Sequence, residues 1–232
     1  MKSVCIIPAR GGSKRIPKKN IKLFFGAPLL VHTADIAKEA SIFDEIVVST
    51  DSSEVNELCG NHSLVSSYPR PAELADDFAP VYGVMKHEIQ KLELGEDDIV
   101  TCLYATAALL RPTKLMEAFK QHISSGVVSY TFAVTPFTFP PQRGLYRNED
   151  GKIHMLEEQY FTTRSQDLKQ IWHDTGTFYI GKVREWLSEP FTFNSNSVGY
   201  PLDPTEVQDI DEQHDWDLAE LKYMRLKNNN DD

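Results

Sequence analysis

Short β-branched runs alternate with amphipathic stretches over the first half of the chain. The β-branched runs cover residues 4–8, 45–49 and 99–103. Apolar residues at helical spacing lie between and after them, at residues 28–40, 53–59, 81–92 and 112–124. This alternation is typical of βαβ units with right-handed crossovers. It predicts an α/β fold in which helices pack on a mostly parallel sheet.

The pattern changes after Gly126, where β-type runs follow one another. A long run at 127–137 precedes a stretch at 144–156 that is typical of a hairpin turning at Asp150-Gly151. Another strand is predicted at 175–181. The second half is therefore expected to be richer in strands than the first.

One domain over residues 1–232 is predicted, since no repeat or linker interrupts the pattern. An excursion at approximately 134–175 contains the polar segment 157–174, which is too long for a passive connection and is either functional or used in oligomerisation. A helix at 213–226 precedes a tail at 228–232 that we expect to be disordered.

Composition narrows the class of protein. The 232 residues are 41% hydrophobic and carry a formal net charge of −10, which argues against a broad nucleic-acid-binding surface. The first apolar run is short and meets Arg10 at once, and no later run approaches a membrane span. Cys5, Cys59 and Cys102 are far apart, as expected for free thiols in a reducing compartment. A cytoplasmic protein is predicted, with neither nucleic acid nor membrane as a partner.

The first strand leads into a concentrated group of basic residues. The stretch "IIPARGGSKRIPKKN", residues 6–20, holds five lysines and arginines. Ligands of open parallel sheets bind beyond the carboxyl ends of the strands, and adjacent glycines can take positive φ and turn backbone N–H groups toward an anion. The loop therefore predicts a polyanion site, although alone it would be an ordinary turn with solvated lysines. Its spacing fits neither a P-loop nor a dinucleotide fingerprint.

Three further stretches accompany this loop: "FDEIVVSTD" (43–51), "RPAELADD" (70–77) and "QDIDEQHDW" (208–216). Together they resemble the cytidylyltransferases that activate nine-carbon acidic sugars, the family that includes CMP-sialic acid synthetases. The resemblance implies a three-layer α/β/α, Rossmann-like nucleotide-diphospho-sugar transferase fold. It also implies a small β-rich dimerisation excursion, and hence a homodimer whose active site is completed by the second copy.

The middle motifs narrow the resemblance within the family. "VTPFTFPPQRGL" (134–145), "FTTRSQDL" (161–168) and "WHDTGTFYIG" (172–181) are similar to the pseudaminic acid subgroup. The implied reaction converts CTP and pseudaminic acid to CMP-pseudaminic acid and pyrophosphate, for surface glycan or flagellin glycosylation. The alternatives are an enzyme that activates sialic, legionaminic or a shorter ulosonic acid, and a catalytically silent nucleotide-binding protein.

The resemblance assigns the basic loop to the nucleotide. The triphosphate would be held by Arg10, Gly11, Gly12, Ser13, Lys14, Lys19 and Asn20, with Arg10, Lys14 and Lys19 stabilising the leaving pyrophosphate. Arg70 would contact the nucleotide unless it is only a surface loop residue. Backbone groups from Ala72 through Glu73 to Leu74 would form part of the cytosine wall.

Asp209 and Asp211 form the candidate metal site. Side chains two apart on an extended segment point to the same side and can share Mg²⁺. A competing interpretation is that Asp211 caps the helix that follows. Asp51 can likewise be read as the cap of the helix at 53–59.

The resemblance assigns the second half to the sugar. The implied sugar-binding residues are Tyr104, Arg143, Arg164, His173, Asp174 and Tyr179. An arginine fork suits a carboxylate, but Arg164 could equally form an ion pair at a dimer interface. His173 and Asp174 are either an acid–base pair or residues that fix a loop, and no side chain declares itself as the general base; Lys19 and a metal-bound hydroxide stay open.

The sequence departs from the family pattern at three positions. Ala105 and Ala108 stand where the pseudaminic subgroup tends to have proline, so the sugar pocket is expected to differ. Arg15 stands where sialic acid enzymes have glycine; it matches the pseudaminic subgroup and adds a charge near the phosphates.

Overall fold

The computed structural model describes residues 1–75, 79–126, 128–188 and 194–228. The strands, in chain order, are β1 (Ser3–Pro8), β2 (Leu23–Phe24), β3 (Ala27–Pro28), β4 (Glu45–Ser49), β5 (Val65–Ser67), β6 (Ile99–Leu103), β7 (Tyr130–Pro136), β8 (Leu145–Arg147), β9 (Ile153–Met155), β10 (Trp172–Lys182) and β11 (Val198–Pro201). The α-helices are α1 (Leu29–Ala40), α2 (Ser53–Asn61), α3 (Val81–Lys91), α4 (Pro112–Ser124), α5 (Val183–Leu187) and α6 (Gln213–Asn228). Short 3-10 turns lie at Lys19–Ile21, Ala72–Leu74, Pro141–Arg143, Glu158–Tyr160 and Ser165–Asp167.

Seven strands form one sheet in the order β11-β7-β10-β6-β1-β4-β5. β1 pairs in parallel with β4 and β6, β4 with β5, and β7 with β11. β10 runs antiparallel to both of its neighbours, β6 and β7. The carboxyl ends of the six other strands and the amino end of β10 therefore lie at one edge, which we call the carboxyl edge. The predicted mostly parallel sheet is confirmed.

Helices cover the two faces of the sheet. Alternate residues of β1 point to opposite faces, so Cys5 and Ile7 join one buried cluster and Val4 and Ile6 join another. The first cluster contains residues of α1, α2 and α4, and the second contains residues of α3 and α5. A third buried cluster, which includes Trp216, packs α6 against the opening loop. The result is a three-layer α/β/α arrangement.

Most long elements agree with their predicted bounds. β4, β6 and α4 match the prediction residue for residue, and β1, α1, α2, α3 and α6 differ by one or two residues at an end. α4 begins with Pro112, whose fixed φ suits the first helical position. The predicted hairpin is confirmed by β8 and β9.

Several short or irregular elements were missed. β5, β11, α5 and the pair β2–β3 are two to five residues long, too short for a periodic signal. β10 begins at Trp172, so it is longer than the predicted strand. Asn228 ends α6, so the predicted tail does not begin there, and its other residues, 229–232, lie outside the described residues.

The three cysteines are buried and free, as predicted. Among the described residues no helix is both long and apolar enough to cross a bilayer.

Candidate active site

The carboxyl edge gathers the polar residues that follow the strands. β1 leads into the basic loop, β4 into Asp51, β5 into Arg70 and β6 into Tyr104. His173 and Asp174 reach the same edge because antiparallel β10 begins there. Residues that are far apart in the sequence thus line two neighbouring cavities.

The first cavity has a volume of about 390 Å³ and two kinds of wall. Its apolar wall is formed by Pro8, Leu74, Ala79, Val81, Val84, Tyr104 and Ala105. Its polar wall is formed by Arg10, Ser13, Lys19, Asn20, Arg70, Thr106, Asp209 and Asp211. Cations beside an apolar wall suit an anionic ligand that carries a flat base.

A close contact with a neighbouring segment of the chain explains why residue 11 of the basic loop is a glycine. The Gly11 N–H donates to Asp51 Oδ1 at 3.0 Å. A Cβ added at Gly11 would lie 2.7 Å from the Ser52 Cβ, whereas one at Gly12 would meet nothing within 4 Å. Neither glycine has a positive φ, although glycine can adopt one. Asn20 stabilises the loop, because its side-chain amide donates to Arg10 O at 2.9 Å.

Lys19 and the two aspartates form a charged corner of the first cavity. The Lys19 ammonium donates to Ile210 O and lies 3.6 Å from Asp211 Oδ1. Burial lowers the pKa of Lys19, and Asp211 opposes this effect. Burial raises the pKa of Asp209, with a further contribution from Asp211. Arg15 Nη2 lies 2.9 Å from Asp211 Oδ2, so the extra arginine faces the aspartates.

The helix caps are not the residues considered from the sequence. Asp215 Oδ2 accepts the backbone N–H of Asp211 at 3.1 Å and of Glu212 at 2.8 Å, so Asp215 caps the start of α6. The carboxylate of Asp211 is thereby left to Arg15 and the cavity. At α2 the cap is Ser52, whose Oγ accepts the N–H of residue 55 at 3.3 Å.

Arg70 is a buried residue of the wall and not a surface loop residue. It is 5% exposed, and its Nη2 lies 3.4 Å from Asp51 Oδ1. Burial lowers its pKa, while Asp51 and Glu88 oppose the change. Glu88 is fully buried, and its Oε1 accepts from Ser49 Oγ at 2.6 Å. Two carboxylates therefore stabilise a charged guanidinium at the cavity wall.

The second cavity has a volume of about 590 Å³ and adjoins the first. Tyr104 and Asp209 line both, so they stand at the junction. The remaining lining is mostly polar and consists of Thr135, Pro136, Thr138, His173, Asp174, Thr175, Gly176, Tyr179, Pro204, Val207, Gln208 and Lys222. Hydroxyl, amide and charged groups in this number suit a polyhydroxylated ligand.

An irregularity in β10 shapes this second cavity. The pairing with β7 shifts register between Asp174 and Tyr179, and Gly176 has φ +58°. The Tyr179 hydroxyl donates to Asp174 Oδ2, and the Gly176 N–H donates to Asp174 Oδ1 at 3.1 Å. Burial and the Asp174 carboxylate raise the pKa of Tyr179. His173 Nδ1 contacts the backbone O of Asp174 at 2.9 Å, so the two side chains do not form an acid–base pair.

Seven predicted site residues lie outside both linings: Gly11, Gly12, Lys14, Ala72, Glu73, Arg143 and Arg164. Lys14, Ala72 and Glu73 are exposed, whereas Leu74, the third residue predicted for the cytosine wall, lines the first cavity.

Within one copy of the chain, the two arginines assigned to the sugar contact residues outside the second cavity. Arg143 Nη1 donates to Ser165 Oγ at 3.3 Å, and Arg164 pairs with Asp167 of its own turn at 2.7 Å. Both arginines are exposed, so a contact with a sugar in the second cavity of the same copy is not supported.

The departures from the family pattern fall largely outside the second cavity. Ala105 lines the first cavity and Ala108 belongs to the buried cluster of α6. Sequence reasoning also missed Thr135, Gln208 and Lys222, which line the second cavity. Gln208 was visible in "QDID", but Lys222 has no local signal because it lies within an ordinary helical pattern.

A family model described as "Cytidylyltransferase" matches residues 4–196. The chain belongs to this family. It is therefore a nucleotidyltransferase, as predicted. Its similarity to one protein named pseudaminic acid cytidylyltransferase, from Campylobacter jejuni subsp. jejuni serotype O:23/36 (strain 81-176), is 40% identity over 96% of this chain and 97% of that protein.

A more distant cytidylyltransferase and a solved structure are also similar to this chain. An N-acylneuraminate cytidylyltransferase of Streptococcus agalactiae serotype V (strain ATCC BAA-611 / 2603 V/R) is 30% identical over 93% of this chain and 52% of its own length. A CMP:2-keto-3-deoxy-manno-octonic acid synthetase complexed with CTP aligns with a TM-score of 0.71 at 15% identity, covering 98% of this chain and all of that one. The predicted nucleotide-diphospho-sugar transferase type of fold is confirmed by this cytidylyltransferase architecture.

Proposed function

We propose that the protein transfers CMP from CTP to pseudaminic acid, giving CMP-pseudaminic acid and pyrophosphate. The observation that carries this proposal is the pair of adjoining cavities that share Tyr104 and Asp209. One cavity has cations and an apolar wall for a nucleoside triphosphate, and the other has hydroxyl and amide groups for a sugar. Two substrates bound in this way meet at the junction.

Two relatives support pseudaminic acid as the sugar. The Campylobacter jejuni protein is named for it, and so is a Helicobacter pylori protein (strain ATCC 700392 / 26695), also named as a hydrolase, that is 37% identical over 90% of this chain and 40% of its own length. The junction supports the same choice. Tyr104 and Tyr179 have ring centroids 5.9 Å apart and offer an aromatic surface. Such a surface suits a sugar acid with a methyl group where N-acetylneuraminic acid has a hydroxymethyl group.

The reaction needs stabilisation of a leaving pyrophosphate. The anomeric hydroxyl attacks the α-phosphorus, the bond to the bridging oxygen of pyrophosphate breaks, and the hydroxyl proton passes to a base or to solvent. Negative charge grows on the leaving group, and preorganised cations lower the energy of that transition state. Arg10 and Lys19 line the first cavity and supply this charge.

Asp209 and Asp211 are suited to hold magnesium. No group of three or more His, Cys, Asp or Glu side chains that could hold a metal occurs among the described residues, so the protein would contribute two carboxylates. Magnesium binds through few carboxylates and keeps water and phosphate ligands. Burial and the neighbouring Asp211 raise the pKa of Asp209, and a bound cation would stabilise the charged form of this carboxylate. When bound, the ion would neutralise phosphate charge as a Lewis acid.

A homodimer is part of the proposal. Among the residues that the structure describes, nine of the 19 exposed large hydrophobic side chains lie between 137 and 172, although this segment is a small part of the chain. An exposed apolar patch of this kind marks an interface. A second copy of the chain is the occupant we propose, because an open groove of about 550 Å³ at Phe132, Val134 and Trp172 adjoins the same segment.

Pyrophosphate release with purified protein, magnesium and CTP tests the function. Pseudaminic acid should react at least about tenfold faster than N-acetylneuraminic acid, since each buried polar group left unpaired costs about 1–3 kcal/mol. UTP should replace CTP poorly, because a mismatched base leaves the pocket's groups unpaired. Legionaminic acid and a shorter ulosonic acid complete the panel, and a reaction without sugar serves as the control.

The outcomes separate the rival functions. Faster turnover of N-acetylneuraminic or legionaminic acid would reassign the sugar and keep the cytidylyltransferase. No pyrophosphate release with any of the sugars would indicate a nucleotide-binding protein without catalytic activity.

A further inference from the structure

The second cavity contains a lysine whose surroundings suit an anion. Lys222 lies on α6 and is the one lysine or arginine among the described residues that line this cavity. Its Nζ donates to Val207 O at 2.7 Å and to Gln208 Oε1 at 3.0 Å. A lysine ammonium has three N–H donors. These two contacts therefore leave one donor for a ligand.

The two acceptors are neutral, so they satisfy hydrogen bonds without neutralising the charge. Burial lowers the pKa of Lys222, and Asp203 is the carboxylate that opposes this effect. A partly buried cation is stabilised by a hydrogen-bonded anion. A ligand carboxylate in the second cavity would supply one.

We propose that Lys222 binds the carboxylate of the sugar acid. The inference rests on the proposed function and names the group that recognises the acid. Arg143 and Arg164, which the sequence suggested for this role, lie outside the cavity lining. Asp174 and Asp209 belong to that lining and would repel a carboxylate unless a cation offsets them.

Lys222 also has a structural contact that the test has to separate from binding. Gln208, which accepts from Lys222, donates through Nε2 to Asp209 O at 3.0 Å. Loss of Lys222 could therefore shift the segment that carries Asp209. Such a shift would weaken the use of every sugar substrate and of CTP, whereas loss of a carboxylate partner affects only substrates that carry the charge.

The experiment compares pseudaminic acid with its methyl ester in the wild type and in Lys222→Gln. Glutamine keeps a hydrogen-bond donor and removes the charge. For the acid, kcat/KM should fall about 10-fold to 100-fold, the range expected for a lost charge-assisted hydrogen bond. For the ester, kcat/KM should change by less than about threefold, because the ester has no charge to lose. The KM for CTP should stay close to that of the wild type.

Three further variants complete the design. Lys222→Arg should retain the preference for the acid. Lys227→Gln removes a lysine of the same helix outside this cavity and serves as the matched control. Gln208→Ala breaks the structural contact and should leave the acid-to-ester ratio near that of the wild type. Melting temperatures verify that each variant is folded.

An unchanged acid-to-ester ratio in Lys222→Gln overturns the inference, and so does an equal loss of that ratio in Gln208→Ala. Either result with an active wild type leaves the proposed function intact. If the wild type transfers CMP to no sugar acid, the proposed function fails, and the inference falls with it.

Discussion

Lys18 and Lys19 are adjacent in the sequence but have different surroundings. Lys19 lines the first cavity, with a side chain 19% exposed beside Asp211. Lys18 points away to Glu54, with Nζ 2.6 Å from Oε1, and both side chains of this pair are more than half exposed. An exposed pair of this kind contributes little. The pair of lysines therefore offers a matched comparison of a cavity charge with a surface charge.

Lys19→Met should lower kcat by about 100-fold or more, because it removes a preorganised charge near the leaving group. Lys18→Met should leave kcat within about twofold, since it removes only an exposed ion pair. Steady-state pyrophosphate release with CTP measures both. Equal kinetics for the two variants would remove Lys19 from the mechanism.

His122 is a buried titratable residue away from the site. It is 5% exposed on α4, and its Nδ1 lies 3.1 Å from Thr131 Oγ1. Burial lowers its pKa from 6.5 to about 4. The neutral ring is therefore the form that the folded protein holds.

Stability should be lost as the pH falls from 6.5 toward 4, because over this range the unfolded chain binds a proton at His122 and the folded chain does not. The expected loss from this residue is about 3 kcal/mol in the free energy of unfolding. Urea denaturation of the wild type and of His122→Gln across this range measures it, since the variant lacks the titration. The idea fails if the two proteins lose stability in parallel.

At the scale of elements, length and regularity decide what the sequence reveals. β4 and β6 are compact runs rich in β-branched residues and α4 is a 13-residue amphipathic helix, so the residue pattern marks their bounds. β5 has three residues and α5 has five, so no period develops. β10 was only partly predicted, because the register shift at Asp174 and Gly176 interrupts its alternation.

Some residues of the candidate site could be predicted from the sequence and others could not. Arg10, Lys19 and Arg70 were accessible to sequence reasoning because they follow parallel strands or share a compact motif. Lys222 was not, since the contact of α6 with the second cavity depends on tertiary packing. Arg143 was assigned by resemblance alone, and one copy of the chain does not bring it to the cavity.

For the whole molecule, the exposed apolar side chains between 137 and 172 favour assembly. Phe139 is 83% exposed and Phe161 is 72% exposed. Burying a side chain of this size contributes about 1.5–3 kcal/mol. Several such residues on each of two copies would stabilise a dimer substantially.

Light scattering should give the wild type about twice the chain mass of 26.4 kDa. The double variant Phe139→Asp with Phe161→Asp should run at the chain mass, because a charge in an apolar interface is costly. Val65→Asp, at an exposed apolar residue on edge strand β5, is the matched control and should keep the wild-type mass. A monomeric wild type with full activity would contradict the proposed dimer.

The junction at Tyr104 and Asp209 affects how the two products are released. Under the proposed function, pyrophosphate occupies the first cavity alone, whereas the nucleotide sugar extends across the junction into both. The product is thus a bisubstrate ligand, held by contacts that each substrate makes only in part. Its release frees both cavities at once. Accumulated nucleotide sugar should therefore inhibit turnover, and a downstream transferase that consumes the nucleotide sugar should relieve this inhibition.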